Sequence, residues 1–447
     1  MRDLIVIGAG PGGYEAAAHA ARMGKKVSLI EKQHLGGTCL NVGCIPAKTF
    51  LRSSKLFHEC SQAAAYGIRL SSPQFDMPAV IERKQRIVAT LTKGVGSMLR
   101  QAGVELITGS ARLAGRNAVA VGDNLLEASN ILLATGSRPA VPPIPGLNSP
   151  SVLNSNSIFD LTSIPKTIAI IGGGIIGLEF ACFFNEIGSQ VDVYEMLPRI
   201  ATGTDEEIGT RLLKILQKQG IHFHLSARVL EISENTVRYV DKDGKEMTSA
   251  AECILNATGR SPNVKDLGLE EVGVDFSARG VRTDEFGKTN IPGIWACGDV
   301  TGRRMLAHAA TREGVVAVRN MFGKKDRIRY NGVPSVLYTH PEVACVGRTE
   351  EELQADGIEY RKAIVPMAIA GRFLIENEGG SGVVKVLTGA RFGEILGVHA
   401  IGDGSSEFIV AAAAMVETEM SASAAGEIIF PHPTVSEALR EAILAVH

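Results

Sequence analysis

Two stretches of the chain repeat one hydrophobic pattern. Asp3-Leu-Ile-Val-Ile7 is a short unbroken apolar run, which predicts a strand buried on both faces of a parallel sheet. Gly8-Ala-Gly10-Pro-Gly12-Gly13 follows, and an alanine-rich stretch from Tyr14 to Met23 predicts a helix that Gly24 stops. Lys26–Ile30 is the next strand and ends in Glu31, 23 positions after Gly8. Thr167–Ile171 begins the second copy. Gly172-Gly-Gly174-Ile-Ile-Gly177 opens a helix that runs through Glu186, Gly188 stops it, and Gln190–Tyr194 ends in Glu195, again 23 positions after the first glycine. The copies are offset by 164 residues, which marks a domain-scale duplication rather than a solenoid.

Each unit closes in the same way. Ile131-Leu-Leu-Ala-Thr-Gly136 runs on to Pro139, and Ile254-Leu-Asn-Ala-Thr-Gly259 runs on to Pro262. Between them Pro139–Gly146 is the most linker-like stretch, so a boundary is placed there. A third block after residue 262 ends in Ile294-Trp-Ala-Cys-Gly298-Asp299-Val300, and the last boundary falls in the charged segment Lys324–Asn331. Beyond it, strands at Gly382–Leu387 and Ile395–Ile401 mix with helices at Glu407–Glu419 and Val435–Ala445. The expected fold class is α/β: two Rossmann-like dinucleotide-binding domains followed by an α+β C-terminal domain. The expected segments are 1–140, 141–262, 263–328 (a return to the first unit) and 329–447.

Composition narrows the partners. Lys plus Arg is 46 against 48 for Asp plus Glu, a formal charge of −2, which argues against nucleic acid or an anionic membrane. Glycine, at 49 residues, is above the usual share, and the excess clusters beside apolar runs, where backbone approaches ligand closely. No apolar run reaches the 18 or so residues of a spanning helix. Met1-Arg-Asp leads straight into a strand with no signal-peptide pattern, so a cytoplasmic setting is expected. Seven scattered cysteines do not make a secreted disulfide framework.

The glycine turns stand in the context that dinucleotide binding requires. The glycines admit a pyrophosphate to a helix N-terminus, and the acid at the next strand end accepts a ribose hydroxyl. Two copies imply two dinucleotides, with Gly8, Gly10, Gly13 and Glu31 in the first site and Gly172, Gly174, Gly177 and Glu195 in the second. Glu195 favours NAD over NADP, because a carboxylate repels a 2′-phosphate; Arg199 nearby pulls the other way.

Gly36-Gly-Thr-Cys39-Leu-Asn-Val-Gly-Cys44-Ile-Pro-Ala-Lys48 carries the sharpest chemistry. The spacing is not that of a zinc knuckle, and no second Cys/His pair completes a tetrahedral site, so no metal is expected. Pro46 puts Cys44 near a helix N-terminus, where the thiolate is favoured, and Lys48 adds a cation one turn on. Near the C-terminus, His432 lies between Pro431 and Pro433, with Glu437 five residues later, an acid/base arrangement. Thr434 and Glu437 also read as a capping box, and both readings can hold at once. Cys182, Cys253, Cys297 and Cys345 read as core, and His308 as a candidate buried cofactor contact.

With these motifs the chain resembles, over its whole length, the pyridine nucleotide–disulfide oxidoreductases, most nearly their dihydrolipoamide-oxidising members. Tyr338-Thr-His-Pro-Glu342 and Gly298-Asp299 belong to the same likeness. The resemblance implies FAD in the first fold and NAD in the second. It implies Lys48, Ala111, Asp299 and Ala307 as further FAD contacts, and Val229 and Gly259 as further NAD contacts. It implies a redox-active disulfide in which Cys39 exchanges with substrate and Cys44 faces the flavin. Lys48 and Glu179 are the implied ion pair beside the flavin. His432 is the implied base, oriented by Glu437 and reaching the active site of the other subunit, so the C-terminal block is a homodimer interface. The implied reaction passes electrons from dihydrolipoamide through Cys39–Cys44 and FAD to NAD. The implied partner is the lipoyl domain of a 2-oxo acid dehydrogenase or glycine cleavage complex. The alternatives are an NAD(P)H-driven reductase of another small disulfide, as in glutathione reductases, and a non-catalytic flavin-binding subunit. Ala47 stands where many relatives have serine, and Pro431 where a small residue is common. No cysteine follows Cys345, so the tail dithiols of mercuric reductase-like enzymes are missing.

Overall fold

A computed structural model describes residues 1–446. The first strand, β1 (Arg2–Ile7), is followed by α1 (Pro11–Arg22) and β2 (Val27–Glu31). The helix begins three residues before the alanine pattern predicts, because Pro11 with its fixed φ and missing N–H suits a first turn. β1 lies between β2 and strand Asn124–Leu133, parallel to both, and parallel strands Glu105–Thr108 and Ile294–Ala296 flank this group. The far half of Asn124–Leu133 continues into an antiparallel arm with Ala118–Val121 and Ala111–Gly115. β1 and β2 are buried over most of their length, as an unbroken apolar run requires when helices cover both faces.

Between the two nucleotide folds lie α2 (Gly37–Val42) and α3 (Cys44–Gln62). The second fold repeats the first: β3 (Thr167–Ile171), α4 (Ile175–Glu186) and β4 (Gln190–Glu195). Its sheet is parallel throughout, in the order 222–225, β4, β3, 253–256, 152–154. Both acids sit at the strand ends the sequence indicates. The Ala-Thr-Gly exits also meet: Ser137–Pro139 runs antiparallel to Arg260–Pro262, so the two units share a seam.

The C-terminal domain is a five-stranded antiparallel sheet in the order 335–337, 343–347, 395–401, 383–389, 360–366, with helices Ser405–Glu417 and Glu437–Leu444 packed into its core. Cys182, Cys253, Cys297 and Cys345 are buried as expected. Among the described residues no helix is long and apolar enough to cross a membrane.

Candidate active site

The two glycine turns share three of their packing relations. Gly8 has φ +101° and Gly172 φ +115°, and a Cβ on either would lie 2.4 or 2.5 Å from the carbonyl oxygen of Ala134 or Ala257, the alanine of each Ala-Thr-Gly exit. A Cβ on Gly13 or Gly177 would meet the oxygen of Gly8 or Gly172 at 1.9 or 2.0 Å. These glycines are therefore required by packing. Gly10 and Gly174 differ, because a Cβ there would meet nothing within 4 Å. Each is the N-cap of its helix, and neither helix has a side-chain cap. Open space in front of unpaired helix N–H groups is the cradle a pyrophosphate needs, so both turns fit a dinucleotide.

The strand-end acids match as well. Glu31 accepts the N–H groups of Ala9 and Gln33, both at 2.8 Å. Glu195 accepts those of Gly173 at 2.6 Å and Leu197 at 2.8 Å. A carboxylate has about four lone-pair sites, so each acid retains acceptor capacity for ribose hydroxyls. Arg199 lies 3.6 Å from Glu206.

The dithiol segment rests on the first turn. Gly36 N–H donates to the carbonyl of Ala9 at 2.8 Å, and a Cβ on Gly37 would touch the Cα of Gly10 at 2.7 Å. Cys39 lies in α2. Gly43 breaks the chain, and Cys44 becomes the first residue of α3, where the sequence places it. Both residues are thiols, half-buried. They hydrogen-bond each other, and that contact, against the opposing effect of burial and with help from the Lys48 ammonium, holds Cys44 down at about 7. The same contact, together with burial, pushes Cys39 far up.

Lys48 projects from α3 one turn after Cys44. Its Nζ donates to both oxygens of Glu179, at 2.8 and 2.7 Å, and Glu179 is on α4 and buried. This pair links the dithiol helix to the second nucleotide fold. Tyr338 completes it: its N–H donates to Glu179 at 3.0 Å, and Lys48 lies 4.6 Å from the centre of its ring.

Asp299 lies in a 3₁₀ turn beside the first glycine motif, where a Cβ on Gly12 would meet Cys297 Sγ at 3.0 Å. It accepts from the Ser137 hydroxyl. Arg260, which the sequence reading did not select, donates to Ser137 Oγ at 2.7 Å and its carbonyl at 2.9 Å, and approaches Thr38 Oγ1 at 3.5 Å. The signal for it was the arginine directly after the second Ala-Thr-Gly. Ala307 starts helix Ala307–Met321, Ala111 starts a buried strand edge, Val229 lies in an apolar cluster with Tyr194, and Gly259 (φ +115°) faces open space. His308 corrects the sequence reading: it is exposed, and its Nε2 meets the carbonyl oxygen of Pro334 at 2.8 Å. As the second residue of its helix it faces away from the packed side.

His432 is apart from all of these. Its side chain is 79% exposed, and Nδ1 lies 2.9 Å from Glu437 Oε1. The other oxygen of Glu437 accepts from Thr434 N–H at 3.0 Å. The reciprocal capping box is only half made, because the Thr434 hydroxyl turns to the Pro431 carbonyl and to Ser436, and Ser436 takes the N-cap position. His432 and Thr434 together hold the Glu437 carboxyl below its usual range. Beside His432 opens an apolar groove of about 860 Å³, lined by Phe408, Ala411, Met415, Ile428, Phe430 and Val435, with Ile429 projecting 94% exposed at its edge.

The chain belongs to the pyridine nucleotide-disulphide oxidoreductase family, whose model matches residues 2–314, and the family's dimerisation domain matches residues 333–443. FAD and NAD are the cofactors of this family, and the second domain makes the chain a homodimer. It is 41% identical to dihydrolipoyl dehydrogenase 3 of Pseudomonas aeruginosa, covering 100% of this chain and 98% of that one. It is 37% identical to dihydrolipoyl dehydrogenase of Bacillus subtilis (99% and 98% covered) and 38% to the mitochondrial enzyme of Homo sapiens (99% and 90%). Among solved structures, LpdA of Mycobacterium tuberculosis superposes with a TM-score of 0.91 at 26% identity, covering 99% of each chain. The flavoprotein disulfide reductase RclA of Escherichia coli superposes with a TM-score of 0.87 at 28% identity, covering 100% of each chain.

Proposed function

We propose that this member of the family is a dihydrolipoyl dehydrogenase that oxidises dihydrolipoamide carried on a lipoyl domain and delivers the electrons to NAD+. The observation that carries the reading is the seat of Cys39 and Cys44, against the first dinucleotide turn and tied by Lys48–Glu179 to the second. Residues 1–140 and 263–328 form the flavin part, 141–262 the nicotinamide part and 329–447 the interface.

In the oxidised dithiol, the two cysteines are unequal leaving groups. The sulfur with the lower thiol pKa leaves faster, and that is Cys44. A substrate thiolate attacks Cys39, a mixed disulfide forms and Cys44 departs as thiolate. The second substrate thiol then displaces Cys39, which takes up its proton, and the products are cyclic lipoamide, the Cys39 thiol and the Cys44 thiolate. Dihydrolipoamide loses two electrons and two protons in this exchange. A thiol of ordinary pKa near 8.5 is mostly protonated at neutral pH, so the attack needs a base. His432 of the partner subunit accepts that proton, and Glu437 holds its ring and stabilises the charge. The chemistry that bound FAD would supply is two-electron transfer between the reduced dithiol and a nicotinamide. Gly10 and Glu31 hold the pyrophosphate and ribose ends of FAD, and Asp299 its central region. Gly174 and Glu195 do the same for NAD, with Glu195 set against a 2′-phosphate.

The test is a four-way assay: reduced lipoamide with NAD+ or NADP+, and oxidised glutathione with NADH or NADPH. Turnover with reduced lipoamide and NAD+, well above the other three, is expected. Preferential reduction of glutathione overturns the reading.

A further inference from the structure

The loop between β4 and helix Glu206–Lys218 wraps the second glycine turn and is held from a distant part of the chain. Ala201 N–H donates to the carbonyl of Gly173 at 2.9 Å, and Ile200 packs on the same residue. Ala201 does so in the left-handed region, with φ +50° although it is not glycine, and it is 2% exposed. Such a conformation persists only where its surroundings over-determine it. Thr204 supplies part of the restraint, with its N–H and hydroxyl both donating to Ala201 O, at 3.0 and 2.8 Å.

The rest comes from Asp205, the next residue. Its carboxylate is completely buried and accepts two hydrogen bonds, at 2.9 and 2.8 Å, from Nζ of Lys385, which is itself completely buried. Lys385 is on strand Val383–Gly389 of the C-terminal domain, 180 residues away. Glu350 fixes the ammonium from the other side at 2.6 Å, and is in turn held by Lys362 and the Tyr360 hydroxyl. A buried charge is tolerated only when paired, so the loop cannot move away from the C-terminal sheet without stranding the Asp205 carboxylate and leaving the Lys385 ammonium with Glu350 alone.

We infer that Lys385 and Asp205 are positioning residues for the nicotinamide-nucleotide site: the interface domain holds the loop that seats the Gly172–Gly177 turn. The inference rests on the proposed assignment of the second fold to NAD. Both residues are completely buried, so their influence on the site is indirect. They act through Ala201 and Gly173, which fixes the turn's amides where the pyrophosphate meets them.

The experiment compares Asp205→Asn and Lys385→Met with wild type in the FAD-loaded dimer. Direct titration with NAD+ should give a Kd raised roughly tenfold, the size expected when one charged hydrogen bond stops restraining the loop. KM for NAD+ should rise alike while KM for reduced lipoamide stays within twofold, a split that a general loss of folding does not produce. Asp205→Asn guards against misfolding, since it leaves Lys385 paired with Glu350. Lowered melting temperature with NAD+ affinity within twofold of wild type overturns the inference. Failure of the wild type to bind NAD+ at all would instead overturn the assignment of the second fold.

Discussion

Cys39 and Cys44 have the same side chain and opposite tendencies. Cys44 is the first residue of a long helix, with Lys48 one turn beyond it, whereas Cys39 is the third residue of the short α2. The pair should release its first proton near pH 7 rather than near the ordinary thiol value of about 8.5, because Cys39 donates to Cys44 and Lys48 adds positive charge. Thiolate absorbance of the reduced protein measures this, and Lys48→Met should move the midpoint up. A midpoint near 9 in the wild type would contradict the site's electrostatics. His432 makes the second residue-scale prediction. General-base catalysis contributes about 10²–10⁴-fold, so His432→Gln should cost that much in lipoamide turnover. Glu437→Gln should cost less, because the ring remains and loses only its orienting charge. NADH oxidation by an artificial acceptor should survive both. Residues with local signatures were legible in the sequence: Cys44 from its helix start, His432 from its prolines. Glu179 was reachable only by family resemblance, since it meets Lys48 from 131 positions away. Arg260 had a local mark, its place directly after the second Ala-Thr-Gly, but its contact with Ser137 and that of Tyr338 with Glu179 are tertiary and no local pattern encodes them.

At the scale of elements, the two glycine turns separate packing from binding. Gly13→Ala would drive a methyl group into the Gly8 carbonyl and should destabilise the first fold by about 1–3 kcal/mol, read by thermal unfolding. A Cβ at position 10 meets no protein atom within 4 Å, so Gly10→Val should leave the fold intact, yet its side chain would fill the space in front of the helix N-terminus. That protein should emerge with little flavin, measured by its absorbance ratio. Gly174→Val should keep flavin and lose NAD binding. Full flavin content in Gly10→Val would refute the role given to that turn. The strands, helices and acids of both copies were legible because strand, turn and helix follow one another within 30 residues. The antiparallel arm 111–133 and the 228–250 sheet were not. They are short, half-exposed strands whose pairing depends on the layer beneath them.

Over the whole molecule, the two functional ends of the chain do not meet. Cys39 and Cys44 are half-buried beside the first glycine turn, whereas His432 projects from the C-terminal domain beside an apolar groove and an exposed Ile429. In the shared-site dimer proposed above, a second copy would cover both, since an exposed apolar face of this kind is what an interface between copies buries. Ile429→Asp should weaken the dimer, seen by sedimentation, and lipoamide turnover should fall with it. The most direct measurement mixes two inactive proteins. Cys44→Ser subunits keep His432, and His432→Gln subunits keep the dithiol. If electrons enter through Cys39–Cys44 of one chain with the base supplied by the other, each mixed dimer has one complete site. About half of the wild-type lipoamide turnover per mixed dimer is predicted; mixed dimers of verified composition that remain inactive would contradict an active site shared between subunits.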